Sequence, residues 1–145
     1  MKRTILVTVL VISVLLAAVS CKSTGGLVTD DTFNKIYAKY ANRLILDGAQ
    51  SYTVKSGDTL VNIARSLYNN GYYYPVIMLA SKDVVLDPDK IQPGMTLTIP
   101  DLQKNLDNPG AKAAMKGVIL DCAAIENDRG RAETAKGLRD HSNSL

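Results

Sequence analysis

The sequence predicts an α+β fold. Its centre is a strand–helix–helix–strand (βααβ) unit with a two-stranded antiparallel sheet, flanked by an N-terminal helix and a C-terminal helical hairpin. Three observations predict it. Within residues 51–100, short alternating segments rich in β-formers stand at the two ends, with two apolar helical faces between them. Ahead of that unit, Phe33, Ile36, Tyr37, Tyr40 and Leu44 recur at three- and four-residue steps. Behind it, Ala111, Met115, Val118, Cys122 and Ile125 keep a heptad-like step.

The chain opens with Met1-Lys2-Arg3, an apolar run from Ile5 to Val19, and the small residues Ala17-Ala18-Val19-Ser20 before Cys21. That is the order of a secretory signal, so residues 1–20 are predicted to be one. As a helix at about 1.5 Å per residue, the apolar run reaches roughly 22 Å. A hydrocarbon core is about 30 Å thick, and Lys22-Ser23-Thr24-Gly25-Gly26 ends the run before it could span one. Residues 21–30 read as a tether. Thr29, Asp30 and Asp31 offer capping oxygens and negative charge for a helix start. The amphipathic helix that follows is expected to occupy residues 31–50 and to end near Asp47-Gly48.

Ser51-Tyr52-Thr53-Val54 alternates as a strand should. Lys55-Ser56-Gly57-Asp58 is a turn, with Gly57 available for positive φ and Asp58 for the next N-cap. Leu60, Ile63, Ala64 and Leu67 make one helical face, which Asn69-Asn70-Gly71 terminates. Pro75 suits the start of a second helix, with Val76, Leu79 and Ala80 inward. A loop of Asp and Pro residues leads to Pro93-Gly94, the pair a type II turn prefers at its centre. Leu97 and Ile99 alternate in a closing strand that Pro100 ends. A lone two-stranded sheet is marginal in water, so both helices are expected to cover one of its faces.

Residues 101–145 read as a helical extension. Asp101–Asn108 is a polar connector; Asn108 caps and Pro109 starts a long helix. Asn127-Asp128-Arg129-Gly130 breaks it. Glu133 to about Arg139 forms a shorter last helix with Ala132, Ala135 and Leu138 inward. The hairpin is expected to pack on the Phe33–Leu44 helix or on the βααβ unit.

Charge narrows the function classes. The chain has 145 residues with 17 basic and 14 acidic side chains; past residue 20 the balance is 15 to 14. Residues 51–100 carry four of each and residues 101–145 seven of each. No segment holds the basic stripe that phosphate-backbone binding leaves, so no nucleic-acid partner is expected. Two cysteines cannot frame a disulfide-built miniprotein. The one histidine, His141, lies near the chain's end, and there is no Ser-His-Asp, Cys-His or paired-carboxylate set. The chain is expected not to be an enzyme and to need no cofactor or metal. Asp83, Asp87 and Asp89 crowd one loop without the calcium-loop order, which points to turn chemistry and N-capping. Cys122 reads as a small buried hydrophobe.

Two stretches resemble known families. Ala18-Val19-Ser20-Cys21 is similar to a bacterial lipobox, with Ala18 where Leu is usual. That resemblance implies a lipoprotein in which Cys21 becomes the first mature residue and carries diacylglycerol on sulfur, with a further acyl chain (palmitate among the possibilities) on nitrogen. Two or more chains give a stable anchor. The expected location is the cell envelope, lipid-anchored to a membrane, on the periplasmic face or in the outer membrane.

Tyr52-Thr53-Val54-Lys55-Ser56-Gly57-Asp58-Thr59-Leu60, with Ile63-Ala64 after it, resembles the opening of a LysM domain. Asp87-Pro88-Asp89-Lys90-Ile91-Gln92-Pro93-Gly94-Met95-Thr96-Leu97-Thr98-Ile99-Pro100 resembles its close, in the sub-type that follows BON domains in some bacterial proteins. Val61 stands where the family often has Trp or Ser, and Ser81 where it often has Asn. The resemblance implies binding of N-acetylglucosamine-containing glycans, chiefly peptidoglycan and chitin, in a shallow groove. One wall would be Gly57, Asp58, Thr59 and Leu60; the other would be Asp89, Lys90, Ile91, Gln92 and Pro93. Backbone groups would bond the acetamido group, and Leu60 and Ile91 would give an apolar floor. Of Tyr72-Tyr73-Tyr74, Tyr74 is expected in the core, leaving Tyr72 or Tyr73 to meet a sugar ring or a partner. The function implied is non-catalytic wall binding by a membrane-anchored lipoprotein. The alternative is a protein–protein scaffold of the envelope built on a LysM fold without glycan affinity.

Overall fold

A computed structural model describes residues 30–145. The signal segment 1–20, the lipid site at Cys21 and the tether up to residue 29 lie outside the described residues. Among the described residues, no helix is long and apolar enough to cross a membrane.

Helix α1 (Asp30–Tyr40) buries Phe33, Ile36, Tyr37 and Tyr40, the stripe its spacing predicts. It stops well short of Asp47. A 3-10 turn, Ala41–Arg43, follows, and Leu44 is extended with φ −76° and ψ 144°. The expected helix over residues 31–50 is therefore corrected. Leu44 still packs against the core, but from an extended segment whose backbone is satisfied elsewhere. The Ile45 amide donates to Asn105 Oδ1 at 2.8 Å, and its carbonyl accepts from Asn105 Nδ2 at 2.9 Å.

Strands β1 (Gln50–Thr53) and β2 (Thr96–Ile99) pair antiparallel, with Tyr52 opposite Leu97 and Gln50 opposite Ile99. Leu97 and Ile99 point into the core. Between the strands run α2 (Leu60–Tyr68) and α3 (Tyr74–Ala80). On α2, Leu60, Ile63 and Ala64 are buried, but Leu67 is 44% exposed. The inward face continues through Tyr68, four residues on from Ala64, because its hydroxyl donates to the Pro100 carbonyl at 2.8 Å. Helix α3 is buried all round from Tyr74 to Leu79, as a helix enclosed on every side must be. Ser81, at its C-terminus, accepts from the Thr98 amide at 2.9 Å and donates to the Thr98 carbonyl at 3.3 Å. That is what the serine does at the position where the family often has Asn.

The tail is three helices joined by short turns. The expected connector 101–108 contains α4 (Leu102–Asp107), capped by Asp101 accepting from the Lys104 amide at 3.1 Å. Helix α5 (Pro109–Asp128) starts at the predicted Asn108 cap and buries Ala111, Met115, Val118, Cys122 and Ile125. Helix α6 (Ala132–Ser144) returns along it and runs past Arg139. Ala135 and Leu138 face inward as expected; Ala132, in the first turn, is exposed. Helix α5 packs against α1, α3, α4 and α6, so the hairpin leans on both of its expected neighbours. Gly117 of α5 lets the Tyr40 ring lie against the helix, since a Cβ there would come within 2.5 Å of it.

Candidate functional site

The two segments expected to form the walls leave the sheet at the same end. Past the strand ends, the Val54 amide donates to the Met95 carbonyl at 2.8 Å, and the Gly94 amide donates to the Val54 carbonyl at 2.9 Å. These bonds set the turn after β1 beside the turn before β2.

In the first segment Gly57 has φ +87°, a left-handed conformation that suits glycine. Asp58 does not cap α2 as its position suggests. It turns back, and its Oδ2 accepts from the Lys55 amide and the Tyr52 hydroxyl, both at 2.8 Å. Those two donors, the amide foremost, hold its carboxyl below the ordinary carboxylate value. Thr59 takes the cap instead, its Oγ1 accepting from the Asn62 amide at 3.2 Å. Leu60 is only 1% exposed. The expectation that it gives apolar floor is corrected: its side chain belongs to the core, because it is the first of the inward residues of α2.

The second segment starts with a 3-10 turn, Pro88–Lys90, capped by Asp87, whose Oδ1 accepts from the Asp89 amide at 3.0 Å. Ile91 is half-buried against the core. Gln92 and Pro93 are exposed, and the Met95 amide donates back to the Gln92 carbonyl at 3.1 Å. With Gly94 at φ +91°, this is the turn that Pro93-Gly94 predicts. Beside it, Val84, Leu86, Asp87, Lys90 and Met95 line a hollow of about 150 Å³.

Sequence reasoning missed what holds this segment. Arg129, in the turn between α5 and α6, donates to Asp89 at 2.7 Å and to both Asp87 oxygens at 3.2 Å. Arg131 donates to Asp89 at 2.7 Å. Its Nε lies 2.7 Å from the nearly buried Glu126 carboxylate. Lys90 Nζ lies 3.5 Å from Asp87. The Arg129 guanidinium also stands 5.4 Å from the centre of the Phe33 ring. Burial would raise the Asp87 pKa, but the Asp89 amide and Arg129 outweigh it and hold the carboxyl below its ordinary value. Glu126 goes the other way: burial lifts it, against the pull of the arginines. Asp89, one of the residues assigned to the glycan wall, is thus engaged by two arginines of the tail. The signal in the sequence was an Asp-rich loop and an Arg-rich turn some forty residues apart, and nothing in the spacing pairs them.

The three tyrosines divide. Tyr73 and Tyr74 are buried, while Tyr72 is 39% exposed and lies over Gly137 of α6. Cys122 is buried, and burial pushes its thiol pKa up, away from nucleophile chemistry. Among the described residues, no three His, Cys, Asp or Glu side chains are grouped to hold a metal ion.

The unit with a two-stranded antiparallel sheet covered by α2 and α3, and both inter-element turns at one end, is a LysM module: residues 52–100 match the LysM domain family, and the chain carries that domain there. LysM is a binding domain rather than a catalytic one. A 53-residue stretch is 49% identical to a protein named potassium binding protein Kbp, from Escherichia coli O6:H1 (strain CFT073). The aligned stretch covers 37% of this chain and 36% of that relative, so the likeness spans about a third of either protein.

Proposed function

We propose that residues 51–100 hold N-acetylglucosamine-containing strands of peptidoglycan without catalysis, and that acylated Cys21 keeps the module on a membrane of the cell envelope. One observation supports the glycan reading above the others: within a LysM domain, bonds through Val54 join the turn after β1 to the Pro93-Gly94 turn before β2. Gly57, Gln92 and Pro93 are exposed at these turns, where an acetamido group can reach them, and half-buried Ile91 gives its methyl a place to rest. Leu60 contributes its first-turn amide, not its side chain. Such a site is weak taken singly. Anchoring it beside the wall raises the effective concentration of its ligand.

Potassium binding, which the relative's name states of that protein, is not carried to this chain. The likeness covers 36% of the relative, and the crowded carboxylates Asp87 and Asp89 are spent on Arg129 and Arg131.

Co-sedimentation with purified, protein-free peptidoglycan tests the glycan reading. The wild type is expected in the pellet. Gly57→Trp and Gln92→Trp, checked for native circular dichroism, are expected in the supernatant. A wild type that stays soluble overturns the reading and leaves the envelope scaffold in its place. Intact mass of the membrane-extracted protein tests the anchor: a diacylglyceryl increment on Cys21 is expected, and its absence removes the anchor.

A further inference from the structure

A second hollow lies on the flank of the domain. It has a volume of about 380 Å³, within the range of small-molecule sites. Val61 and Arg65 of α2 line one side, the Asn69–Tyr72 turn lines the floor, and Thr134 of α6 closes the other side. Several details shape it as a cradle. Gly71 lets the floor press close against α2: a Cβ there would stand 2.8 Å from Val61 Cγ1 and 3.4 Å from Arg65 Nη2. Arg65 is held over that floor by Asn62, whose Oδ1 accepts from Nη1 at 2.9 Å. No carboxylate among the described residues pairs with Arg65, so its other donors are open to a ligand. Asn70 is fixed as well, its Oδ1 accepting from the Tyr72 amide at 2.9 Å and its amide nitrogen 3.3 Å from His141 Nδ1. The exposed Tyr72 ring and Val61 supply apolar contact.

The lining carries one full charge, and it is positive. Arginine matches a carboxylate with paired N–H donors. Val61 directly follows Leu60 at the head of α2 and shares a helix face with Arg65, four residues and about 6 Å along the axis. A ligand held at the Gly57–Thr59 turn that reaches Val61 can extend a substituent along this face to Arg65. We propose that this hollow takes a carboxylate projecting from the bound glycan, with Arg65 as the anion contact and Thr134, Asn70 and Tyr72 around it. It would make the module prefer the acid-bearing wall polymer over uncharged chitin. This rests on the glycan reading above. The carboxylate has two possible sources, the lactyl ether of the acid sugar and its peptide stem.

Isothermal titration of the full chain with three probes tests it: the N-acetylglucosamine tetramer, the peptide-free wall disaccharide with its free lactyl acid, and the disaccharide tetrapeptide. The wild type is expected to bind at least one acidic probe more tightly than the tetramer. Arg65→Gln should lose about tenfold for that probe, the low end for a hydrogen bond to a charged group. It should leave the tetramer unchanged. Arg65→Lys should recover part of the loss, and Thr134→Val should weaken the same probe. Whichever acidic probe is sensitive to Arg65→Gln identifies the source. Equal losses for the tetramer and the acidic probes, or no loss for any, overturn the proposal while the glycan reading stands. A wild type that binds none of the three overturns the glycan reading, and this proposal with it.

Discussion

Asn105 ties the segment before β1 to α4. It is fully buried, accepts from the Ile45 amide at 2.8 Å, and donates to the Ile45 and Asp101 carbonyls at 2.9 Å. Removing it leaves the Ile45 backbone without those partners. Asn105→Ala is expected to cost about 1–3 kcal/mol in urea unfolding, the range for an orphaned buried polar group. Asn105→Asp, which sets a buried carboxylate oxygen against the Ile45 and Asp101 carbonyls, should cost at least as much. His141 gives a second test at this scale. Its ring is packed edge-on against Tyr73 with centroids 4.4 Å apart. Burial lowers its pKa below the ordinary imidazole value. The folded state therefore favours the neutral ring. The stability this represents is fully present above the unfolded-state pKa and is lost as pH falls through the lowered folded value. The unfolding free energy of the wild type should drop between pH 7 and 5 by more than that of His141→Gln, and equal slopes would refute the assignment. Neither residue's role was legible in the sequence. A polar residue in a polar stretch, or a lone histidine near the chain's end, shows its partner only after the chain has folded back on itself.

The turn between α5 and α6 acts on the closing loop as a clamp. Arg129 is 15% exposed and Asp87 8% exposed at their side chains, so their pairing is largely shielded from water. Removing one partner of a buried pair costs about 3–5 kcal/mol. Because Arg129 keeps some solvent, Arg129→Met is expected near the bottom of that range by denaturant unfolding. Amides 87–93 should also exchange hydrogen faster. The exposed Lys35–Asp31 pair is the control: both ends are at least 70% exposed, so Lys35→Met should change stability by less than about 1 kcal/mol. At this scale the sequence was largely readable where periodicity is strong. The α1 stripe, both strands, the Asn108 cap and the buried face of α5 follow from spacing and cap chemistry. It misled where a local pattern continued past a tertiary interruption. Leu44 sits one helical step beyond Tyr40 but belongs to extended chain, and Leu67 yields the inward place to Tyr68. The short α4 carries few apolar residues, so its stretch read as a connector. Within the candidate site, Gly57 and the Pro93-Gly94 turn were legible from backbone requirements, whereas the Arg129 and Arg131 contacts were not.

Across the whole molecule, the LysM unit and the tail share one core. Val76, Ile77 and Met78 of α3 are wholly buried, as are Met115, Val118 and Ile119 of α5, which packs against α3. A chain ended after Pro100 would expose much of the α3 surface to water. Each large core truncation costs about 2–5 kcal/mol, and native stability is only about 5–15 kcal/mol. Residues 51–100 alone are therefore expected to show no cooperative thermal transition, with the intact chain melting sharply under the same conditions; a sharp melt of the fragment would show that the tail is dispensable. The sheet itself has only two strands, and both of its flanks would invite a neighbour. On the β2 side, Ser81 already satisfies the Thr98 N–H and C=O. A stray strand arriving there finds that ladder rung taken, so copies crowded together have one flank fewer by which to zip into fibres.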